Sequence, residues 1–316
     1  MKILVTATSF KPNNPTPALK RLRKYADEIV FNPKGKPLTE DELQPLVHDI
    51  DGYIAGLDFI TAKALSQCEK LKVISRYGVG VDRIDLNAAQ ARGIKVCNTP
   101  GANTNAVADL AFGLILATAR KIPMLDRKTR EGGWVRSTGA EIYEKTLGIL
   151  GLGAIGKAVA KRALGFDMKI MAYDPYLDEE YARSTNIEAA SFDDIIRNAD
   201  VLSLHLPLLN ETKNIISADV MRKMKPGTII VNTARGGLID EDAAYELLKS
   251  NHLGGLGLDA YAQEPPGSSP LFELENTVLT PHTASHTLEA VKNMSDMSVE
   301  NLIEVLTYGK CPYMVV

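Results

Sequence analysis

The stretch Thr146–Pro175, TLGILGLGAIGKAVAKRALGFDMKIMAYDP, constrains the fold of this chain more than any other. The apolar run Leu147–Leu150 reads as a buried strand, and a helix with Ala158, Ala160 and Ala163 follows it. A second strand, Lys169–Tyr173, ends in an acid, Asp174. Between strand and helix stand Gly151, Gly153 and Gly156 in G-x-G-x-x-G spacing, and each has a separate task. Gly151 allows a tight turn, Gly153 lets a pyrophosphate reach the backbone, and Gly156 permits close helix–strand packing. The helix N-terminus offers unpaired N–H groups and a partial positive charge to phosphate. Asp174 is placed to accept both hydroxyls of an adenosine ribose and to repel a 2′-phosphate, which favours NAD over NADP. The plainer reading is that Asp174, followed by Pro175, only starts a turn.

Strand-like and helix-like runs alternate along nearly the whole chain. KILVTA, DEIVFN, GYIAGL, LKVISRYG and GIKVCNTP form a first series; KTLGILGLG, KIMAYDP, DVLSLHLP, GTIIVNTA, LGGLGLD and NTVLTPH form a second. The segments TPALKRLRKY and TEDELQPLVHDI carry Thr near their starts and apolar residues at helical spacing. Such alternation predicts an α/β protein with two doubly wound parallel-sheet lobes. Between the series, TNAVADLAFGLILATARKI is a long apolar helix, either central core or a subunit interface. The polar arm after it holds Trp134, the only tryptophan, which points to an arm packed on a partner subunit. The last helix, LEAVKNMSDMSVENLIEVLTYG, has no strand partner in the second series and is expected to return to the first lobe. Thr99–Thr104 and Ala284–Thr287 would then act as hinges.

Composition excludes several classes. The net charge of -3 supplies no basic field for nucleic acid or an anionic membrane. No apolar run approaches the roughly 18 residues a membrane span needs. The opening MKILVTATSF reads as a first strand rather than a signal peptide. Cys68, Cys97 and Cys311 make no metal-ligand or disulfide pattern, as befits thiols in a reducing cytoplasm; no metal site is expected.

Three ionisable residues end later strands of the second series: Arg235 in NTARGGLID, Glu264 in LDAYAQEPP and His282 in TPHTAS. Singly, each has an ordinary reading, as a surface arginine, a turn acid before proline and a core histidine. Strand C-termini face the ligand crevice of an open α/β sheet, so together they suit hydride chemistry on a 2-oxo or 2-hydroxy acid. A carbonyl oxygen gaining charge as hydride arrives needs a proton donor, a role that fits His282 with Glu264 behind it. A substrate carboxylate needs a fixed, planar, bidentate cation, which fits Arg235. In SRYGVGVD, Gly78 and Gly80 would let consecutive N–H groups form an anion nest; an ordinary glycine-rich turn is the alternative.

These residues, with HLPLLNETKNII, MKPGTIIVNTARGGLIDE and ISRYGVGVDRIDLNAAQARGIKVCNTPGANTNAVADL, resemble the D-isomer-specific 2-hydroxyacid dehydrogenases over almost the whole chain. The resemblance implies a Rossmann NAD-binding domain, residues 100–285, inserted into a flavodoxin-like substrate-binding domain, residues 1–99 and 286–316. It implies an Arg235/Glu264/His282 triad. NAD contacts are implied at Gly151, Gly153, Ala154, Ile155, Gly156, Asp174, Leu206, Pro207, Thr233, Ala234, Arg235, Asp259, His282 and Ala284, with Asp259 meeting the nicotinamide carboxamide. Substrate contacts are implied at Arg76, Tyr77, Gly78, Val79 and Gly80 beside Arg235 and His282. A homodimer through the NAD-binding domain follows too. The expected substrate pair is 3-phosphoglycerate and 3-phosphohydroxypyruvate, the entry to serine biosynthesis, with Arg76, and after it Arg83, as the cation for phosphate. Rivals are hydroxypyruvate, glyoxylate, lactate and bulkier 2-oxo acids; the triad does not separate phosphite oxidation, and formate oxidation is disfavoured because that branch carries Gln for Glu264. From another class, some relatives are NAD-sensing corepressors. The chain departs from the family at Thr283, Ala284 and Ser285, where an apolar residue, Gly and a small residue are usual. Leu206 stands where many phosphoglycerate enzymes have Thr, and His205 before it reads as structural. The chain stops at Val316, so no C-terminal regulatory domain and no serine feedback are expected.

Overall fold

The computed structural model describes residues 1–316, which divide into two compact units. One comprises Met1–Asn103 with Thr287–Val316, the other Thr104–His286. The sequence placed the joins at 99/100 and 285/286, within the connecting stretches Thr99–Thr104 and Ala284–Thr287; the chain changes unit inside the same stretches, between Asn103 and Thr104 and between His286 and Thr287.

The first unit holds β1 (Lys2–Val5), β2 (Glu28–Phe31), β3 (Gly52–Ala55), β4 (Val73–Arg76) and β5 (Lys95–Cys97). All pair in parallel in the order β2-β1-β3-β4-β5, the flavodoxin-like order. Thr16 caps the helix Pro17–Tyr25 by accepting from the Leu19 N–H at 3.2 Å, with Pro17 preorganised at the first helical position. Thr39 and Glu42 form a capping box on Glu40–Val47. The last helix, Leu288–Tyr308, does return to this sheet. Ser75 Oγ donates to the Ser298 carbonyl at 2.8 Å, Asn301 Nδ2 donates to the Asn98 carbonyl at 2.8 Å, and Met294 and Leu302 are buried. The final residues run antiparallel to β5, Val315 N–H donating to Val96 at 2.7 Å. That brings Cys311 beside Cys97 and, with burial, pushes the Cys97 thiol well up. The pairing of strand and tail was not legible from cysteine spacing.

The second unit holds β6 (Thr146–Leu150), β7 (Lys169–Tyr173), β8 (Glu188–Ala189), β9 (Val201–Leu204), β10 (Thr228–Asn232), β11 (Leu253–Leu258) and β12 (Thr277–Leu279). Their order is β12-β11-β10-β9-β6-β7-β8, a parallel sheet with the Rossmann strand reversal between β6 and β9. The sequence reading lacked β8, whose two residues are exposed at the sheet edge. The apolar helix Thr104–Ala119 is core: Ala108, Ala111, Leu114 and Ile115 are buried against this sheet. Beyond it come the helix Ile122–Arg130 and an extended arm in which Trp134 is 84% exposed.

Register decides what the sheet presents. Tyr173, Leu150, Leu204, Asn232, Leu258 and Leu279 are partners in one row across β7, β6, β9, β10, β11 and β12. The next residue on each strand is therefore Asp174, Gly151, His205, Thr233, Asp259 and Thr280, one line along the carboxyl edge.

Candidate active site

At the left of that line lies the glycine turn. Gly151 has φ +96°, and a Cβ there would stand 2.6 Å from the His205 carbonyl oxygen. A Cβ on Gly156 would stand 2.1 Å from the Gly151 carbonyl, so helix and turn touch only through glycine. Gly153 differs: nothing lies within 4 Å of its added Cβ. It precedes the helix Ala154–Ala163 without a side-chain cap, and Ala154 is exposed while Ile155 is half-buried. Gly153→Ala should thus keep stability within about 0.5 kcal/mol of the parent but weaken NAD binding at least about tenfold. Calorimetric titration showing undiminished affinity would remove Gly153 from the phosphate site.

Asp174 Oδ2 accepts the Leu152 N–H at 2.8 Å and Oδ1 the Tyr176 N–H at 2.9 Å. It therefore both fastens the glycine loop and opens the turn at Pro175, and each oxygen keeps a lone pair for a ribose hydroxyl. His205 Nε2 lies 2.9 Å from Ser203 Oγ, and burial holds its ring down to about 4. A ring neutral at ordinary pH suits a structural part. Leu206 is buried and Pro207 exposed just behind it.

Beyond β10, Asn232 makes the local turn. Its Nδ2 donates to the Arg235 carbonyl at 2.7 Å, and its Oδ1 accepts the Ala234 N–H at 3.0 Å. Thr233 is buried, and its Oγ1 has no hydrogen-bond partner. Such an orphan is uncommon and marks a place where a ligand group fits. Arg235 is half-buried, with Nη1 donating to the Ala234 carbonyl at 2.7 Å.

Asp259, fully buried, follows β11. Its Oδ1 accepts Thr280 Oγ1 at 2.6 Å and the Thr283 N–H at 2.8 Å; its Oδ2 accepts the Ala284 N–H at 2.9 Å. These bonds bracket His282, whose φ of +49° is unusual for a residue with a side chain. His282 Nδ1 lies 2.8 Å from Glu264 Oε1, with side-chain exposures of 25% and 12%. A carboxylate only accepts, so Nδ1 carries the hydrogen and Nε2 is the nitrogen left for chemistry. Glu264 Oε1 also accepts the Tyr261 N–H at 3.2 Å. The Tyr261 hydroxyl donates to the Thr280 carbonyl at 2.9 Å, and burial, then Asp259, pushes it up to about 12. A Cβ on Gly236 would sit 1.7 Å from the Tyr261 carbonyl oxygen, so the Arg235 loop rests directly on this segment.

In the first unit the predicted anion loop has a different interior. Arg76 is 8% exposed, its Nε donating to the Gly80 carbonyl at 3.0 Å and its Nη1 to the Tyr77 carbonyl. The guanidinium shapes its own loop. Tyr77 points inward, donating to the Val291 carbonyl at 3.1 Å. Gly78 has φ +135° and gives its N–H to Thr99 Oγ1 at 3.0 Å, while Val79 is exposed. Arg83 donates to the Leu57 carbonyl at 2.8 Å. Asn232, Tyr261 and Thr280 were missed by the sequence reading; only the Asn-Thr pair closing β10 hinted at the first.

A reversal-point glycine turn, an orphaned buried hydroxyl and a carboxylate–imidazole pair on one sheet edge define a dinucleotide-binding unit equipped for proton transfer, and its residues fit NAD. Comparison with known proteins agrees. Residues 112–284 match the D-isomer specific 2-hydroxyacid dehydrogenase NAD binding domain. Glyoxylate reductase of Thermofilum pendens is 40% identical over 309 residues, 94% of this chain and 90% of that protein. D-3-phosphoglycerate dehydrogenase of Archaeoglobus fulgidus is 43% identical over 249 residues, 78% of this chain and 47% of that protein; the chain thus spans about half the length of such relatives. D-lactate dehydrogenase from Escherichia coli superposes with a TM-score of 0.84 at 30% identity, covering 100% of both chains. This chain belongs to the D-isomer specific 2-hydroxyacid dehydrogenase family.

Proposed function

We propose that this chain transfers a hydride between NAD and carbon 2 of a D-2-hydroxy acid/2-oxo acid pair. The observation that carries the reading is the 2.8 Å contact of His282 Nδ1 with Glu264, which leaves Nε2 for the substrate oxygen. Bound NAD supplies the hydride acceptor in one direction and its reduced form the donor in the other. Arg235 grips the substrate carboxylate through two parallel N–H···O bonds. During oxidation His282 Nε2 takes the hydroxyl proton as C2 loses hydride; during reduction it returns that proton to the new alkoxide. Glu264 stabilises the imidazolium in both directions. Asp174 selects NAD through the ribose hydroxyls.

The finer reading is oxidation of 3-phosphoglycerate at the start of serine biosynthesis, in the cytoplasm, by a homodimer joined through the NAD-binding unit. Its support is the relatives so named and an arm that holds Trp134 open to solvent. A second reading, reduction of glyoxylate or hydroxypyruvate, is favoured by Arg76 and Arg83, whose guanidiniums are engaged with backbone carbonyls rather than held for a phosphate. Initial rates with NADH and 3-phosphohydroxypyruvate, glyoxylate, hydroxypyruvate and pyruvate separate the two. A kcat/KM at least about 100-fold higher for the phosphorylated acid supports the first reading. A preference for the small acids supports the second. NAD binding with no turnover on any of them would overturn the enzyme reading in favour of a sensor.

A further inference from the structure

One carboxylate near the proton-transfer pair has no part in the chemistry above. Glu241 opens the helix Glu241–Lys249, whose cap is Asp240, with Oδ1 accepting the Ala243 N–H at 3.1 Å. Its side chain leaves its own helix and accepts the Ala262 N–H at 2.7 Å, in the loop behind β11. The preceding N–H, of Tyr261, goes to Glu264. Two successive N–H groups are thus shared between two acids, one catalytic and one remote. On its other face the same peptide rests on Gly236, whose added Cβ would stand 2.6 Å from Ala262 N.

We propose that Glu241 is a positioning residue for the hydride-transfer reaction: it clamps the Tyr261–Ala262 peptide so that the Tyr261 N–H and His282 Nδ1 converge on one oxygen of Glu264. The proposal rests on the acid–base role given to His282 and Glu264. A misdirected peptide would let the Glu264 carboxylate turn, and the imidazole with it, and small errors of aim are costly in proton and hydride transfer.

The ordinary explanation is that Glu241 merely answers the positive end of its helix. An acid serving only that end would be held below the usual carboxylate range. Glu241 instead spends its oxygen on the Ala262 N–H at 2.7 Å, in another segment; burial, opposed by that N–H and assisted by Asp242 and Glu264, raises its carboxyl. The charged groups that act on its carboxylate are Asp242 on its own helix and Glu264 behind β11.

The test compares Glu241→Gln, which keeps an oxygen acceptor but loses the charge, with Glu241→Ala, which loses both. Turnover, KM, NAD affinity and melting temperature would be measured on the full chain, with His282→Ala as reference. Glu241→Ala should lower kcat about 10-fold with KM and NAD affinity within about twofold. Glu241→Gln, which keeps the acceptor for the Ala262 N–H, should restore kcat to within about twofold of wild type. Wild-type kcat in Glu241→Ala would overturn the proposal, as would losses that only track the folded fraction or that fall on KM rather than kcat. If His282→Ala itself keeps full turnover, the acid–base reading fails; if it does not and the Glu241 variants behave as wild type, this inference alone fails.

Discussion

His282→Ala is expected to lower turnover by at least about 100-fold while leaving NAD affinity within about twofold. The separation of the two effects follows from how the loop is built. His282 is bracketed by the Thr283 and Ala284 N–H groups, both held by Asp259, and Thr280 holds the same carboxylate. Removing the imidazole leaves those three bonds in place, so the backbone that meets the cofactor should not move. What disappears is the imidazole to which the proposed mechanism gives the proton. Glu264→Gln should act on the same group more gently. An amide supports imidazolium less than a carboxylate does, so turnover should fall, by less than in His282→Ala. Steady-state rates across pH, with NAD binding followed by titration calorimetry, check both. Unchanged turnover in His282→Ala would remove it from proton transfer.

Gly236→Ala should be as damaging by a different route. The new methyl would need the space of the Tyr261 carbonyl oxygen, 1.7 Å away, and the obstacle is backbone rather than a side chain able to swing aside. Either the Arg235 loop or the Tyr261–Ala262 peptide must yield, at about 1–3 kcal/mol of stability. Both movements strike the site, since one carries the guanidinium and the other holds Glu264. A loss of at least about 100-fold in kcat/KM is therefore expected at temperatures where the protein stays folded. Gly237→Ala is the control. Its φ is +79°, but the nearest atoms are the Leu208 methyls at 3.5 and 3.6 Å. Roughly 1 kcal/mol of backbone strain without a steric clash should cost far less activity. Melting curves and kinetics on both variants decide the matter; near-normal kinetics in Gly236→Ala would mean the loops are not rigidly stacked.

The glycine turn, and the places of Asp174, Arg235, Glu264 and His282 behind their strands, were legible because each rests on short-range rules. Strand periodicity, glycine spacing and the position of a residue just past a strand are all written locally. The support for those residues is not. Asn232 is a strand-ending polar residue whose amide happens to fold back on Arg235. Asp259 looks like any acid after a strand until the chain returns 21 to 25 residues later to place Thr280, Thr283 and Ala284 around it. Arg76 was legible as a cation, but a sequence does not say that carbonyls of its own loop will enclose it. The glycine-rich LGGLGL of β11 reads as a poor strand by propensity. It is explained by Thr118, whose Cγ2 would lie 2.3 Å from a Cβ on Gly255. Long-range approach of that kind leaves no mark on the local pattern.

Trp134, the sole indole of the chain, stands almost wholly in water on the arm after the helix Ile122–Arg130. In the single chain its emission therefore carries no information about either hydrophobic core; in the proposed homodimer, where the partner covers the arm, denaturation should move that emission to longer wavelength. Anything that covers the arm should move that emission to shorter wavelength. The molecule thus carries a built-in optical gauge for contacts made by one segment alone.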